Sequence, residues 1–594
     1  MKIRVKNLNG SHFYSIWKIE NVTRAGILFC ALLVIAYCFW TLDRGFEITD
    51  EAYYLLLAMY ADSVKVFISA QQWITAGLWH LTASIVLFRA AGMLLLLISS
   101  AFLAIGVFST CLRLNLVAED FGSESVVVAG SLVCGMLYAS TINFSPCYNL
   151  LASTGAYGAA GFALLATNQS NFTYKYVLFA LAGLAVGVEV LSKPSAGIAT
   201  LGLIAIWGAI FERSLVHRIF GLVTIVFGTL TFAGVILLVN SKLSDARQAF
   251  EQGMQLFRMV QTETIWTRLV RYFIEFWEYF QATLIAFAIP IVAMIGYVTT
   301  RRLIFAKFGL IALMITLIFG SLVAGEPTFS LQNLSFDSYL FGGFNRYDVE
   351  ITAIIAMLMM VLIVSIPVWT KDWSRLALII GLIFLPYSVA MGTGNALFTQ
   401  VIDSLAPWGV LVSMLLVAHH PDNLSKIPTT LIGICFIATI VLQIVTSNFR
   451  PYQISLSLTK QDQTATVGNI GRVKVDPETY KFLTEMMATV EECDIAAGAP
   501  FIGLYNIPGV ALTIQAIPLL TPWLNNREQA EFVLERAHAE EMRSALVAFQ
   551  MIEEGVFPPL PRQLSAFPSG YRYCGSAIYP YRQQRIQIWQ SLAR

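Results

Sequence analysis

The chain has 594 residues, of which 57% are hydrophobic and 13% charged, against about 25% charged in an ordinary soluble domain. That composition excludes a water-soluble globular protein, and 38 Lys+Arg balanced against 37 Asp+Glu excludes the basic surface that nucleic-acid binding needs. The apolar residues gather in runs of roughly 18 to 24, enough at ~1.5 Å per residue to cross a hydrocarbon core of about 30 Å, so a polytopic membrane protein is predicted.

The first run, 25–42, follows Lys2, Arg4, Lys6, Lys18 and Arg24, which places the N-terminus in the cytoplasm by the positive-inside rule. It ends in Phe39-Trp40-Thr41-Leu42 rather than in small residues, so it reads as a retained helix and not a cleaved signal peptide. Further runs follow at 85–112, 125–142, 148–167, 176–191, 196–211 and 219–239, and then at 283–298, 308–323, 349–369, 376–391, 398–418 and 427–446, about thirteen spans in all. Alternation puts Arg113, Lys175, Arg213, Arg218, Arg301, Arg302, Lys307, Lys371, Arg375 and Lys426 on the cytoplasmic side. It leaves on the outer side 43–80, 143–149, the Lys193-Pro194 junction, 241–280, the region of Arg346, and 392–395. Unusual polar residues thus collect at one face, where chemistry is expected.

The chain divides into a membrane region, 1–447, and an outer-face domain, 448–594, which reads as α/β. The latter shows helical patterns at 477–492 and 526–550, an apolar run at 499–504 and a turn at 506–509. Cys493 and Cys574 fall in this polar domain and suit a disulfide if it faces an oxidising compartment; the other six cysteines lie in or beside apolar runs as packing residues.

Just beyond the first span, 43–54 carries Asp43, Glu47, Asp50 and Glu51, four carboxylates in nine residues. Two readings of Asp50 stand: a cap for a helix beginning near Ala52, or a general base at the mouth of a cavity. Lys193, between an apolar span and Pro194, either snorkels to the interface or stabilises a phosphate leaving group. Arg346, at the outer start of a span, offers a second phosphate ligand or pairs with Asp348, while Arg89 sits about one turn inside its span, placed to meet an outer-loop acid or a lipid phosphate. Gly392-Thr393-Gly394-Asn395 is a tight turn or a cavity-bordering loop, and Tyr148 and Asn149 either anchor a helix mouth or line a site. Arg and aromatic residues alternate through 241–280, as in helices lying in the interface. His80 has no partner at ligand spacing, so no zinc site is predicted.

Asp50-Glu51 followed by Tyr53-Tyr54, Cys147-Tyr148-Asn149-Leu150-Leu151 opening the fourth span, and Leu191-Ser192-Lys193-Pro194 after the fifth occur in an order that resembles the GT-C superfamily of membrane glycosyltransferases. The span count and the C-terminal outer domain look most like the bacterial lipid A aminoarabinose transferases. The resemblance implies a GT-C-like fold in a bacterial inner membrane, with a polyprenyl-phosphate sugar as donor and a lipid, glycan or protein acceptor at the outer face. It also implies Asp50 as catalytic acid residue and Glu51 as its partner, and leaves open a divalent cation on the pair. It assigns neither phosphate binding at Tyr53-Tyr54, where the aminoarabinose transferases carry a basic residue, nor aminoarabinose as the sugar. On residue types alone, a polytopic transporter or lipid flippase and a non-catalytic envelope assembly partner stay open beside it.

Overall fold

The computed structural model describes residues 10–592 apart from 68, 241–242, 261–262, 326–345, 393, 421–422, 450, 552–555 and 582. Its membrane region runs α1 (Gly10–Thr41), α2 (Asp50–Met59), α3 (Gln71–Thr82), α4 (Ile85–Arg113), α5 (Phe121–Gly135), α6 (Tyr148–Asn168), α7 (Phe172–Ser192), α8 (Pro194–Phe211) and α9 (Leu215–Asn240). There follow α10 (Leu243–Val260), α11 (Ile265–Ala286), α12 (Ala288–Thr300), α13 (Leu303–Gly325), α14 (Arg346–Val364), α15 (Ile366–Trp369), α16 (Trp373–Ala390), α17 (Leu397–Val401), α18 (Ala406–Val417) and α19 (Asn423–Thr446).

Among the described residues nine helices are long and apolar enough to cross a membrane, a bent pair makes a tenth, and three more apolar helices are shorter. These correspond in order to the thirteen runs of the sequence, and the chain is a multi-pass membrane protein. Two of the interrupted runs bear on the site. The run 283–298 turns by 78° between α11 and α12, because Pro290 has no N–H for the helix ladder and its ring crowds the preceding turn. The run 398–418 breaks between α17 and α18 into a short 3-10 turn, Ile402–Ser404, just before Pro407. The interrupted segments pack on each other through Tyr279 and Phe398, whose ring centroids are 4.1 Å apart.

Without a hydrophobic driving force between helices in lipid, close approach at small residues holds the bundle. A Cβ on Gly106 would stand 2.5 Å from the Gly161 carbonyl oxygen, and one on Gly161 would strike the Phe102 backbone, so α4 and α6 cross in backbone contact.

The tail forms a hairpin of β1 (Gln463–Val467) and β2 (Gly471–Val475), then α20 (Pro477–Glu492), β3 (Pro500–Leu504), α21 (Pro508–Thr513), β4 (Ile517–Pro518), α22 (Arg527–Leu534), α23 (Ala539–Ser544), β5 (Leu546–Gln550), β6 (Tyr571–Tyr579) and β7 (Gln584–Ser591). The five-stranded sheet has the order β4-β3-β5-β7-β6, with β3 parallel to β4 and β5 and the other pairs antiparallel. The α/β expectation thus holds: 477–492 is a helix as expected, and the apolar run 499–504 contains strand β3. The expected turn at 506–509 instead leads into α21, with Pro508 in the first helical position, where its missing N–H costs nothing. The expected helix 526–550 is α22, α23 and strand β5. Its charges mask the final run Leu546-Val547-Ala548-Phe549, which is buried on both faces at the centre of the sheet. Cys493, at the end of α20, is disulfide-bonded to Cys574 in β6.

The tail does not stand apart from the membrane region. Phe46, Ile48, Ala52, Leu55 and Leu56 share one apolar core with Val467, Val473, Val510, Ala548 and Ile588 of the tail. Arg44 pairs with Lys474 of β2 in a parallel bridge, the Gly45 N–H donates to the Lys474 carbonyl (2.8 Å), and Lys474 Nζ lies 2.6 Å from Asp43. The Gly509 N–H donates to the Ile48 carbonyl (2.7 Å), a contact so close that no side chain fits at 509. The loop with the four carboxylates is therefore clamped between α1 and the tail.

Candidate active site

Asp50 opens α2 as its first helical residue and does not cap it; Thr49 is the cap position, without a side-chain cap bond. The capping work falls to Glu47, whose carboxylate accepts from the Glu51 N–H (2.8 Å), the Thr49 N–H (2.5 Å) and the Thr49 hydroxyl. A carboxylate at a helix N-terminus suits the positive end of the helix dipole. Burial, with the neighbouring Asp50 charge, still pushes the Glu47 carboxyl well above its ordinary range.

Residues i, i+3 and i+4 share a helix face, so Asp50, Tyr53 and Tyr54 point one way and Glu51 another. Glu51 is 1% exposed and meets Arg89 of α4 as a two-pronged pair, Nε to Oε1 2.7 Å and Nη2 to Oε2 2.6 Å. Asn143 and Ser145 donate to the same carboxylate at 2.9 and 2.6 Å. Arg89 spends its other N–H groups on the carbonyls of Leu42 (2.8 Å), Arg44 (3.2 Å) and Gly45 (2.8 Å). Glu51 is thus the centre of a closed network that fixes the turn from α1 into α2. Of the two roles the sequence allowed Arg89, the structure shows the acid partner.

Asp50 is half-buried, and the Tyr452 hydroxyl, from the segment after α19, donates to its Oδ2 at 2.5 Å. Gln453 Nε2 in turn donates to Tyr452 (2.8 Å), and Gln453 Oε1 lies 2.9 Å from the Thr49 hydroxyl oxygen. Burial, together with the Asp50 charge, holds the Tyr452 phenol well above its usual value, so it stays a proton donor to Asp50.

From Asp50 a row of aromatic and polar groups crosses to the α7–α8 junction. The Asp50 charge acts on Tyr53, Tyr54 and Tyr148. The rings of Tyr54 and Tyr148 meet edge to face at 6.0 Å, and Tyr53 meets Trp523 of the tail at 4.9 Å. Lys193 Nζ lies 5.7 Å from the centre of the Tyr148 ring and donates to Asn149 Oδ1 (3.1 Å) and to the Val389 carbonyl (2.8 Å). An ammonium has three N–H donors, and these bonds use two. Lys193 is 5% exposed, so its charge is held where water cannot dissipate it.

Asn149 Nδ2 donates at 3.3 Å to Asp403, in the break between α17 and α18; Thr141 donates to its other oxygen at 2.5 Å. Asp403, 5% exposed, is therefore tied to Lys193 through Asn149, and its charge and that of the buried Glu189 both act on the lysine. The sequence reading missed it, although a lone carboxylate inside the apolar run 398–418 is the signal that finds such residues.

The structure thus brings together Asp50, Tyr148, Asn149, Lys193 and Tyr53, the last also expected to line the cavity, and adds Tyr54, Asp403, Thr141 and Tyr452. Asn395 stands apart: it is exposed on the loop before α17, where Glu275 accepts from the Leu397 N–H (2.7 Å). Arg346 begins α14, but its side chain lies outside the described residues. Among the described residues no three His, Cys, Asp or Glu side chains converge as metal ligands. On the same side as Asp50, residues 61–67, α10 and the tail border a cavity of about 530 Å³, of mixed lining, in which Asp62, Lys65, Arg536 and His538 stand beside Val64, Phe67 and Trp73.

No family model and no curated protein matches the sequence. Among solved structures, the chain is similar to the oligosaccharyltransferase of Archaeoglobus fulgidus, solved with Zn and sulfate, at 12% identity and a TM-score of 0.44 over 89% of this chain and 68% of that one. It is also similar to the arabinosyltransferase EmbB of Mycobacterium smegmatis, at 13% identity and a TM-score of 0.33, over 76% of this chain and 43% of that one.

Proposed function

We propose that the chain is a membrane glycosyltransferase of GT-C type that moves a sugar from a polyprenyl-phosphate donor to an envelope acceptor at the outer face of a bacterial inner membrane. The observation that carries this reading is the pairing, across the Tyr54–Tyr148 contact, of a half-buried carboxylate with a buried ammonium that, among the described residues, has an unspent donor. A lipid phosphate reaching the site sideways from the bilayer would meet the N–H of Lys193 that Asn149 and the Val389 carbonyl leave unspent.

In the reaction, an acceptor hydroxyl gives its proton to Asp50 as its oxygen attacks the anomeric carbon from the face opposite the phosphate. The bond from that carbon to the phosphate oxygen breaks, its electron pair leaves on the polyprenyl phosphate, and the anomeric configuration inverts. Lys193 stabilises the charge that develops on the phosphate, so no separate general acid is needed. Glu51 acts as a positioning residue, since both its oxygens are committed to Arg89, Asn143 and Ser145. The same commitment argues against a divalent cation on the Asp50-Glu51 pair, which would have to displace Arg89.

The test is release of free polyprenyl phosphate when the purified chain in nanodiscs is incubated with a lipid extract of its native membrane. Release by wild type that falls by about 10²–10⁴ in Asp50→Asn is the expected result for loss of a general base. No release from wild type contradicts the proposal.

A further inference from the structure

At the end of the membrane region remote from the tail, α6, α7, α8 and α9 enclose a cavity of about 250 Å³. Its walls are apolar, among them Leu164, Phe179, Ile204, Ala209 and Leu222. Cavities of this kind stay dry and take apolar ligands. Gly208 also lines it, and a Cβ built there meets no atom within 4 Å, so the wall faces open space at that point. Leu215, Ile219 and Leu222 line the cavity and are exposed on α9, so the slot opens on the flank of the bundle, where acyl chains lie.

The mouth has a different chemistry. Glu212 is the carboxylate among the lining residues, and it is already engaged: Lys175 Nζ is 2.6 Å from Oε2, and the Arg213 N–H donates to Oε1 at 3.1 Å. The Glu212 carbonyl accepts from Arg218 Nε at 2.6 Å. Arg113 acts electrostatically on both Glu212 and Arg213 and is held in place by its bond to the Thr167 carbonyl (2.7 Å). Lys175, Arg113, Arg213 and Arg218 thus face a single carboxylate. Among the described residues, the exposed Arg213 side chain takes no protein acceptor, and Arg218 spends only its Nε.

A dry slot open to lipid, beneath a rim of excess positive charge with unspent N–H donors, has one natural occupant. We infer that this is a binding site for an anionic phospholipid, with an acyl chain in the cavity and the phosphate on Arg213 and Arg218. A zwitterionic headgroup carries its own cation to the same rim and gains less. The site lies at the opposite end of the spans from Asp50 and Lys193 and does not depend on the reaction assigned to them.

The experiment is native mass spectrometry of the full chain released from nanodiscs that hold equal amounts of dioleoyl-phosphatidylglycerol and dioleoyl-phosphatidylcholine. Wild type is expected to retain phosphatidylglycerol in preference to phosphatidylcholine, and Arg213→Gln to lower that retention by about fivefold. Gly208→Trp, which fills the slot from a position where there is room, is expected to lower retention of the same lipid independently of the rim. Equal retention of both lipids by wild type, or wild-type retention in Arg213→Gln and Gly208→Trp alike, would each overturn the inference.

Discussion

Asp50 and Glu51 differ in chemistry because about 100° of helix rotation separates neighbouring residues of α2. Glu51 turns into the Arg89 network, where an uncompensated guanidinium is far more costly than the pair itself is stabilising. Glu51→Leu is therefore expected to destabilise the chain by about 3–5 kcal/mol, read as a large drop in thermal midpoint. Asp50→Asn, which keeps an acceptor oxygen for the Tyr452 hydroxyl, is expected to change that midpoint far less. Equal midpoints for the two variants contradict the division of roles. Asp403 and Lys193 make a second residue-scale case. If Asp403 sets the charge and aim of Lys193 through Asn149, then Lys193→Met and Asp403→Asn each weaken binding of undecaprenyl phosphate by about tenfold, and the double variant is no weaker than either. Additive losses contradict the coupling.

Glu47 gives the pH dependence. Burial and the Asp50 charge raise its folded-state pKa above the ordinary value of 4.5, against the hydrogen bonds it accepts, so the folded chain holds its proton more tightly than the unfolded chain does. Stability from this group is then present below the unfolded value and is lost as pH rises from there toward the raised folded value. Thermal midpoints of wild type relative to Glu47→Gln, which has no such proton to lose, are expected to fall between about pH 5 and about pH 8. A relative midpoint that rises over that window contradicts the assignment.

At the scale of elements, the spans were legible because hydropathy is a local property: a run of apolar residues needs no partner to be recognised. What hydropathy did not convey was continuity, since Pro290 bends one run and the Ile402–Leu405 break divides another. The same limit hid β5, whose central place depends on β3 and β7 beside it rather than on the charges before it. At the site, the order Asp50, Tyr148, Asn149, Lys193 could be read from span ends, whereas Tyr452 and Asp403 required the tertiary fold, being separated from their partners by hundreds of residues. The contact of α2 with α21 is a further element-scale prediction. A Cβ at Gly509 would stand 2.5 Å from Ile48 Cβ, so Gly509→Val is expected to cost about 1–3 kcal/mol and to loosen α2 from the tail. Faster amide exchange in 46–58 than in β5 and β7 would show it; uniform exchange would not fit.

The whole molecule works as one body because the tail completes the core of the first loop and supplies Tyr452 to Asp50. Truncation after 447 is thus expected to unfold α2 as well as to remove the sheet, and so to abolish transfer rather than merely alter acceptor choice. Transfer at wild-type rate by the truncated chain contradicts that dependence. The disulfide from Cys493 to Cys574 closes 81 residues of the tail. Its removal by Cys493→Ser is expected to destabilise the sheet by about 2–5 kcal/mol, seen as a lowered midpoint or protease cleavage within 448–594.

The most direct test of the central claim is mass spectrometry of envelope lipids and polysaccharides from cells carrying wild type, a deletion, or Asp50→Asn at equal protein level. Loss of the same sugar-sized mass in the deletion and in Asp50→Asn is the expected result, and it identifies sugar and acceptor together. Loss in the deletion with full retention in Asp50→Asn contradicts Asp50 as the base, and an envelope unchanged in both contradicts glycosyl transfer itself.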